Sequence, residues 1–189
     1  VSREPTKRYA THADIEALPE GVNGEIVAGD LWVTPRPASP HAVASSQALH
    51  DLVGMFDRGR GGPGGWHILH EPELHLGDDV LVPDIGGWRV ERMPTIPSVS
   101  AFTLHPDWVC EFVSPSTARL DRAAKVPRYH LHGVEWVWVV DPLAFTLEVL
   151  HRSDAGYVIE QTFQGAESVR ARPFDAVEIE IDAWWLRRT

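Results

Sequence analysis

Apolar residues in this chain fall into short runs with strand-like or helix-like spacing. "WVCEFV" (108–113) is apolar on both faces, the pattern of a strand inside a sheet. "VEWVWVVDP", "FTLEVLHR", "GYVIEQTF" and "AVEIEIDAWW" alternate as further strands. "GEIVAGDLWVTP" reads as a hairpin around Ala28–Gly29–Asp30. "WHILHEPELHLGDDVLVPDIGGW" reads as two strands with Gly77–Asp78–Asp79 between them. Helices are expected where "THADIEALPEG" opens with a Thr11/Asp14 capping pattern, and where Leu49, Leu52, Val53 and Phe56 share one face. A third is expected over "ARLDRAAKVPRYHLHG", closed by Gly133. "RGRGGPGGW" is a flexible loop, and residues 91–106 form a long connection. No internal repeat is present. The expectation is a single α/β domain over residues 1–189, a central mixed sheet flanked by helices, with an N-terminal helix and hairpin.

Composition narrows the class. With 189 residues, 43% hydrophobic and 23% charged, the chain can fill one full core. No apolar run is long enough to cross a bilayer, and the first twenty residues hold no stretch of signal-peptide type, so cytoplasm is the expected compartment. One cysteine, Cys110, excludes an internal disulfide framework and a Cys-based zinc knuckle. The formal charge of −10 argues against broad, non-specific coating of nucleic acid but not against a local basic groove. Of the 17 basic residues only Lys7 and Lys125 are lysines, so position 125 calls specifically for an ammonium.

The candidate chemistry centres on Glu111, a carboxylate inside the apolar "WVCEFV" strand. Burying a charge costs several kcal/mol unless something compensates it. Asp84, in "LVPDIGGW", lies 27 positions earlier, far enough for the chain to return and set two strand ends side by side. Two such carboxylates suit a hard cation such as Mg²⁺; taken singly, Asp84 could equally be a turn carboxylate bonded to nearby backbone. Asp121 and Lys125 are four apart on one helix face, a surface ion pair of roughly 0.2–0.5 kcal/mol or a functional pair. The scarcity of lysine favours the second, because a compact ammonium suits a phosphate or an attacking water. Glu25 at a strand start and His41 at a helix start could line the same cleft, although an exposed strand-end Glu and a helix-start His need no special explanation. The ten histidines show no metal-ligand spacing: His67 and His70 point to opposite faces of a strand, and His130 and His132 do not face each other. "GRGGPGG" lacks the ending of a phosphate loop. Trp184 and Trp185 suggest a dimer contact or a cap on the sheet.

The series "GEIVAGDL…SPH…VPDI…EFVSPST…D…K…YHLHGVEWVWVVDP" resembles the Uma-two family of endonucleases, in the PD-(D/E)XK nuclease superfamily, from about residue 11 to residue 150. The resemblance implies a restriction-endonuclease-like core in which Asp84 and Glu111 jointly hold a divalent metal, Mg²⁺ or Mn²⁺. The superfamily's lysine belongs two residues after the glutamate, where this chain has Val113; in the Uma-like pattern it moves to the following helix, here Lys125. By the same analogy the metal activates a water and polarises a DNA phosphodiester, and Lys125 orients the water or offsets developing charge. Glu25 would be a further ligand and His41 a phosphate contact or proton shuttle, with Asp121 in support. Arg119, Arg122 and Arg128 would supply local positive charge towards DNA. A homodimer would suit cutting both strands of a duplex. The alternatives are a binding or assembly protein with a vestigial acidic pocket and a hydrolase of another phosphoester.

Overall fold

The computed structural model describes residues 9–34, 38–165 and 168–186; Lys7 lies outside them. A short helix α1 (His12–Glu16) leads into the hairpin β1 (Asn23–Val27) and β2 (Asp30–Thr34). The Thr11 N–H donates to the Asp14 carboxylate at 2.7 Å, so the expected cap forms. Ala28 and Gly29 both have positive φ (54° and 81°), as a two-residue hairpin with the twist of its strands demands. Helix α2 (Ser39–Leu52) follows and widens into a π turn, Val53–Asp57. Leu52 and Phe56 are buried, and Leu49 and Val53 pack beside them, the face expected from their spacing.

The stretch from Trp66 to Arg89 corrects the two-strand expectation. It holds four strands, β3 (Trp66–His70), β4 (Leu74–Leu76), β5 (Asp79–Leu81) and β6 (Ile85–Arg89). Short strands separated by only two or three residues leave too little periodicity to show the breaks. Asp79, expected in a turn, instead opens β5 and is buried. Next come β7 (Trp108–Phe112), a π-helical turn at Leu120–Lys125 that runs into α3 (Val126–Leu131), and β8 (Trp136–Asp141). The chain continues through β9 (Thr146–Ser153), β10 (Gly156–Gln164), β11 (Ser168–Val169) and β12 (Ile179–Glu180). The strand expected over "AVEIEIDAWW" is confined to β12, after which Ile181–Trp184 form a 3₁₀ turn.

Six strands make the main sheet in the order β10-β9-β8-β7-β6-β3; β2-β1-β5-β4 make a second, smaller sheet. Among the described residues only the β7–β8 pair of the main sheet is parallel, and it needs the crossover that the π turn and α3 provide. Side chains of β7 and β8 alternate between two cores. Trp108, Cys110, Phe112, Trp136, Trp138 and Val140 face the core under α2, which Phe174, Trp184 and Trp185 complete. The tryptophan pair at the C-terminal end is thus a cap on the sheet. Val109, Val113, Val137 and Val139 face the other core, beneath α3, with Leu120, Tyr129 and Val134. Both faces are covered, which is why these strands read as continuous apolar runs. Gly87 is a close approach: a Cβ there would meet the Trp108 ring at 3.0 Å.

Candidate active site

Glu111 points from β7 into the second core and is 1% exposed. Its neighbour on that face is Val113, so the strand itself brings no cation. The cation arrives from the crossover. Lys125 Nζ lies 2.8 Å from Glu111 Oε1, and the Tyr129 hydroxyl donates to the same oxygen at 2.5 Å. Asp121, Lys125 and Tyr129 recur every four residues, so one side of the crossover delivers all three. The π turn has a local cause. Pro127 has no N–H to return to the preceding turn, and the Val126 N–H bonds the Asp121 carbonyl in an i→i+5 register instead.

Asp84 precedes β6, one step beyond the Ile85–Cys110 pair of the antiparallel β6–β7 ladder, and so comes level with Glu111. Its Oδ2 accepts the Phe112 N–H at 2.7 Å, and its Oδ1 meets His41 Nε2 at 2.9 Å. His41 is in the first turn of α2, which tips it towards the strand ends. Glu25, from β1, ties the smaller sheet to the crossover: its Oε2 accepts the Val82 N–H at 2.7 Å, and Lys125 lies 3.0 Å from Oε2 and 3.2 Å from Oε1. Lys125 also donates to the Val82 carbonyl at 2.9 Å. Its three N–H bonds are therefore matched by Glu111, Glu25 and Val82, and its side chain is 2% exposed. Asp121 is 4.0 Å from the ammonium.

These groups line one cavity of about 280 Å³, with Asn23, Glu71 and the Ser114–Thr117 loop at its wall. Thr117 and Ser114 cap the crossover, the Ser114 N–H bonding Thr117 Oγ1 at 3.0 Å. Four carboxylates (Glu25, Asp84, Glu111, Asp121) and one ammonium line the cavity, three of the four within 4.0 Å of Lys125 Nζ. Burial pushes the Glu111 carboxyl well above the usual range; Lys125 opposes that, and the other carboxylates add to it. Burial likewise raises Asp121 to about 6. For Lys125 burial acts downward, but Glu111, Glu25 and Asp121 outweigh it and the ammonium is held more tightly than a free one. Tyr129 is raised by burial and by Glu111, so it stays a donor. His41 is raised, because Asp84 overcomes the opposing effect of burial.

The donor set fits a hard divalent cation. Asp84 and Glu111 offer carboxylate oxygens from adjacent strands, and the excess of acid over base is what such an ion would offset. Both oxygens of Glu25 are engaged, by the Val82 N–H and Lys125, as both of Asp84 are by the Phe112 N–H and His41; Glu25 differs in bearing directly on the ammonium. The six residues Glu25, His41, Asp84, Glu111, Asp121 and Lys125 are thus gathered in one place, whereas the three arginines are not. Arg122 pairs with Glu148, Arg128 pairs with buried Asp79, and Arg119 is exposed away from the cavity. Tyr129 was not singled out for the site from the sequence; its spacing of four from Lys125 was the available signal.

A mixed sheet with opposed carboxylates on two neighbouring strands and a buried lysine behind them defines a nuclease-like, restriction-endonuclease-like fold. The chain belongs to the Uma2 family, described as "Putative restriction endonuclease", whose model matches residues 12–183. Among solved structures it is similar to the crystal structure of a "putative nuclease belonging to DUF820" from Anabaena variabilis ATCC 29413. The two share 22% identity and a TM-score of 0.73, over 93% of this chain and 97% of that one. No curated protein matches. Among the described residues, no helix is long and apolar enough to cross a membrane.

Proposed function

We propose that this chain is a metal-dependent endonuclease hydrolysing DNA phosphodiester bonds, with Asp84 and Glu111 as ligands of Mg²⁺ or Mn²⁺. The observation that carries this reading is the pairing of those two carboxylates on adjacent strands, in a cavity where acid outnumbers base. When bound, the cation supplies Lewis-acid polarisation of the phosphodiester and a water of lowered pKa. The chain's own groups prepare that chemistry. The Phe112 N–H fixes the Asp84 carboxylate, and Lys125 with Tyr129 fixes Glu111. Glu25 and the Val82 carbonyl hold the ammonium in place, which makes Glu25 a positioning residue. Asp121 adds charge behind it. His41, which keeps its proton to higher pH than a free histidine, offers a cationic contact to a phosphate at the open side of Asp84. Direct contact between Lys125 and an attacking water requires the lysine to give up one of its three acceptors; in place, it offsets the charge of Glu111. Of these three arginines, Arg119 is exposed and in no ion pair among the described residues, so it could meet DNA without breaking one. We place the reaction in the cytoplasm, where a homodimer would bring one site to each strand of a duplex.

The test is cleavage of supercoiled plasmid with Mg²⁺ or Mn²⁺, wild type beside Glu111→Gln. Metal-dependent cleavage that disappears in the variant supports the reading; equal nicking in both refutes it. The saturated lysine favours a second reading, a binding protein that keeps an acidic cation pocket. That reading predicts a Mg²⁺-dependent rise in melting temperature, abolished by Asp84→Ala, with no cleavage by wild type under either metal.

A further inference from the structure

A second cluster lies outside this cavity and uses a different donor chemistry. His12 opens α1, and Glu73 and His75 flank Leu74 at the start of β4. In extended chain, residues two apart point to one face, so Glu73 and His75 project together. Their backbone is fixed on both sides by Phe102: the His75 N–H donates to the Phe102 carbonyl at 2.9 Å, and the Phe102 N–H donates to the Glu73 carbonyl at 2.8 Å. Folding brings His12 against this pair from 61 residues away (73 − 12). His75 Nε2 lies 2.7 Å from Glu73 Oε1, His12 Nε2 lies 3.5 Å from the same oxygen, and the two imidazole rings are 5.1 Å apart.

We propose that His12, Glu73 and His75 form a binding site for a divalent transition metal of the Zn²⁺ class, separate from the acidic cavity. One ligand atom from each residue falls within 4.8 Å of the other two. Tetrahedral bonds of about 2.0–2.1 Å place neighbouring donors about 3.3 Å apart. The two separations from Glu73 straddle that spacing, and closing the set needs only side-chain rotation of the partly exposed His12. Two imidazoles and one carboxylate suit Zn²⁺, whereas Mg²⁺ prefers the all-oxygen set of the cavity. Glu16 lies one helical turn after His12, with its Oε1 3.6 Å from His12 Nδ1. A carboxylate on the far nitrogen of a ligating histidine orients the ring and raises its basicity. Three protein ligands leave a fourth position for water, so the site is open. A bound ion ties α1 to the smaller sheet, joining a helix of one and a half turns to a strand pair by something stronger than its few apolar contacts.

The experiment uses the full chain, stripped of metal and carrying no polyhistidine tag. Zn²⁺ is titrated by competition with a chromogenic chelator, and Co²⁺ by its visible absorption. With Mg²⁺ in large excess to fill the acidic cavity, wild type is expected to take one equivalent with the intense visible bands of a low-symmetry nitrogen–oxygen site. His12→Ala, a change at a partly exposed position that leaves the fold intact, is expected to weaken Zn²⁺ at least about tenfold, and His75→Gln likewise. Glu16→Gln is expected to weaken it by about tenfold through the orienting contact. Glu111→Gln should leave it unchanged. Binding that survives in His12→Ala and His75→Gln, or that is lost in Glu111→Gln alone, overturns the proposal. So does the absence of Zn²⁺ binding by wild type.

Discussion

Asp79 and Glu111 are each 1% exposed, yet the fold treats their charges in opposite ways. Asp79 collects donors from three elements: the Ala28 N–H at the hairpin turn, Arg128 of α3, and His132 just beyond it. These hold its carboxyl below the ordinary range against the cost of burial. Burial pushes Glu111 up; it meets Lys125 and Tyr129 but also feels three other carboxylates in the same cavity. Burial by itself therefore does not say whether an acid is structural. The balance of donors to like charges does: Asp79 is a finished joint between hairpin, β5 and α3, whereas Glu111 belongs to a set with surplus negative charge that a cation would complete.

The sharpest way to break the comparison is to remove the one ammonium. Lys125→Met should cost about 3–5 kcal/mol at neutral pH, because it strands several buried carboxylates. The loss should shrink as the pH falls and those groups take up protons; urea unfolding at pH 7.5 and pH 5 would measure both. Asp79→Ala should cost less, about 1–3 kcal/mol, since Arg128, His132 and the Ala28 N–H at the exposed hairpin turn lose one partner but none of them is an unpaired buried charge. With its folded-state pKa lowered, Asp79 contributes stability that is present above its ordinary value of 3.8 and lost as pH falls below it. The variant should therefore show a flatter acid limb in a melting-temperature profile.

Asp121→Asn should move the other way. Its folded-state pKa of about 6 lies above its ordinary 3.8, so its contribution is fully present below 3.8 and lost as pH rises through about 6. Neutralising it should stabilise the metal-free protein by about 1–3 kcal/mol at pH 7.5 and remove the gain seen on acidification. A metal-free Asn variant no more stable than wild type at pH 7.5 would mean that Lys125 already compensates Asp121. The smallest effect expected is from Tyr129→Phe, about 1 kcal/mol for one lost hydrogen bond, with unchanged far-UV circular dichroism.

Much of the central site could be read in advance because each part carries a local signal. The acid inside "WVCEFV" stands out against its apolar neighbours, Asp84 follows a proline at a strand end, and Lys125 is conspicuous in a chain that otherwise uses arginine. The Asp79 joint carried no such signal. Its partners are 51, 49 and 53 residues away, and "GDD" reads as a turn whichever aspartate is buried. The arginines near Lys125 in sequence looked like a basic groove, but helical geometry turns Arg122 to Glu148 and Arg128 to Asp79. His12 and His75 looked scattered for the same reason, being brought together only when α1 packs beside β4.

By itself the sequence determined the period of the longer elements, the two-sided burial of the central strands, the hairpin, and the presence of an acid that needed a partner, because these depend on neighbours within a few residues. Tertiary structure alone decided which charges meet. It set Asp84 level with Glu111 through ladder register, saturated Lys125 with Glu25 and Val82 from the smaller sheet, and gave Asp79 its donors. Electrostatic partners are fixed by distances of a few ångströms in space, and separation along the chain does not encode them.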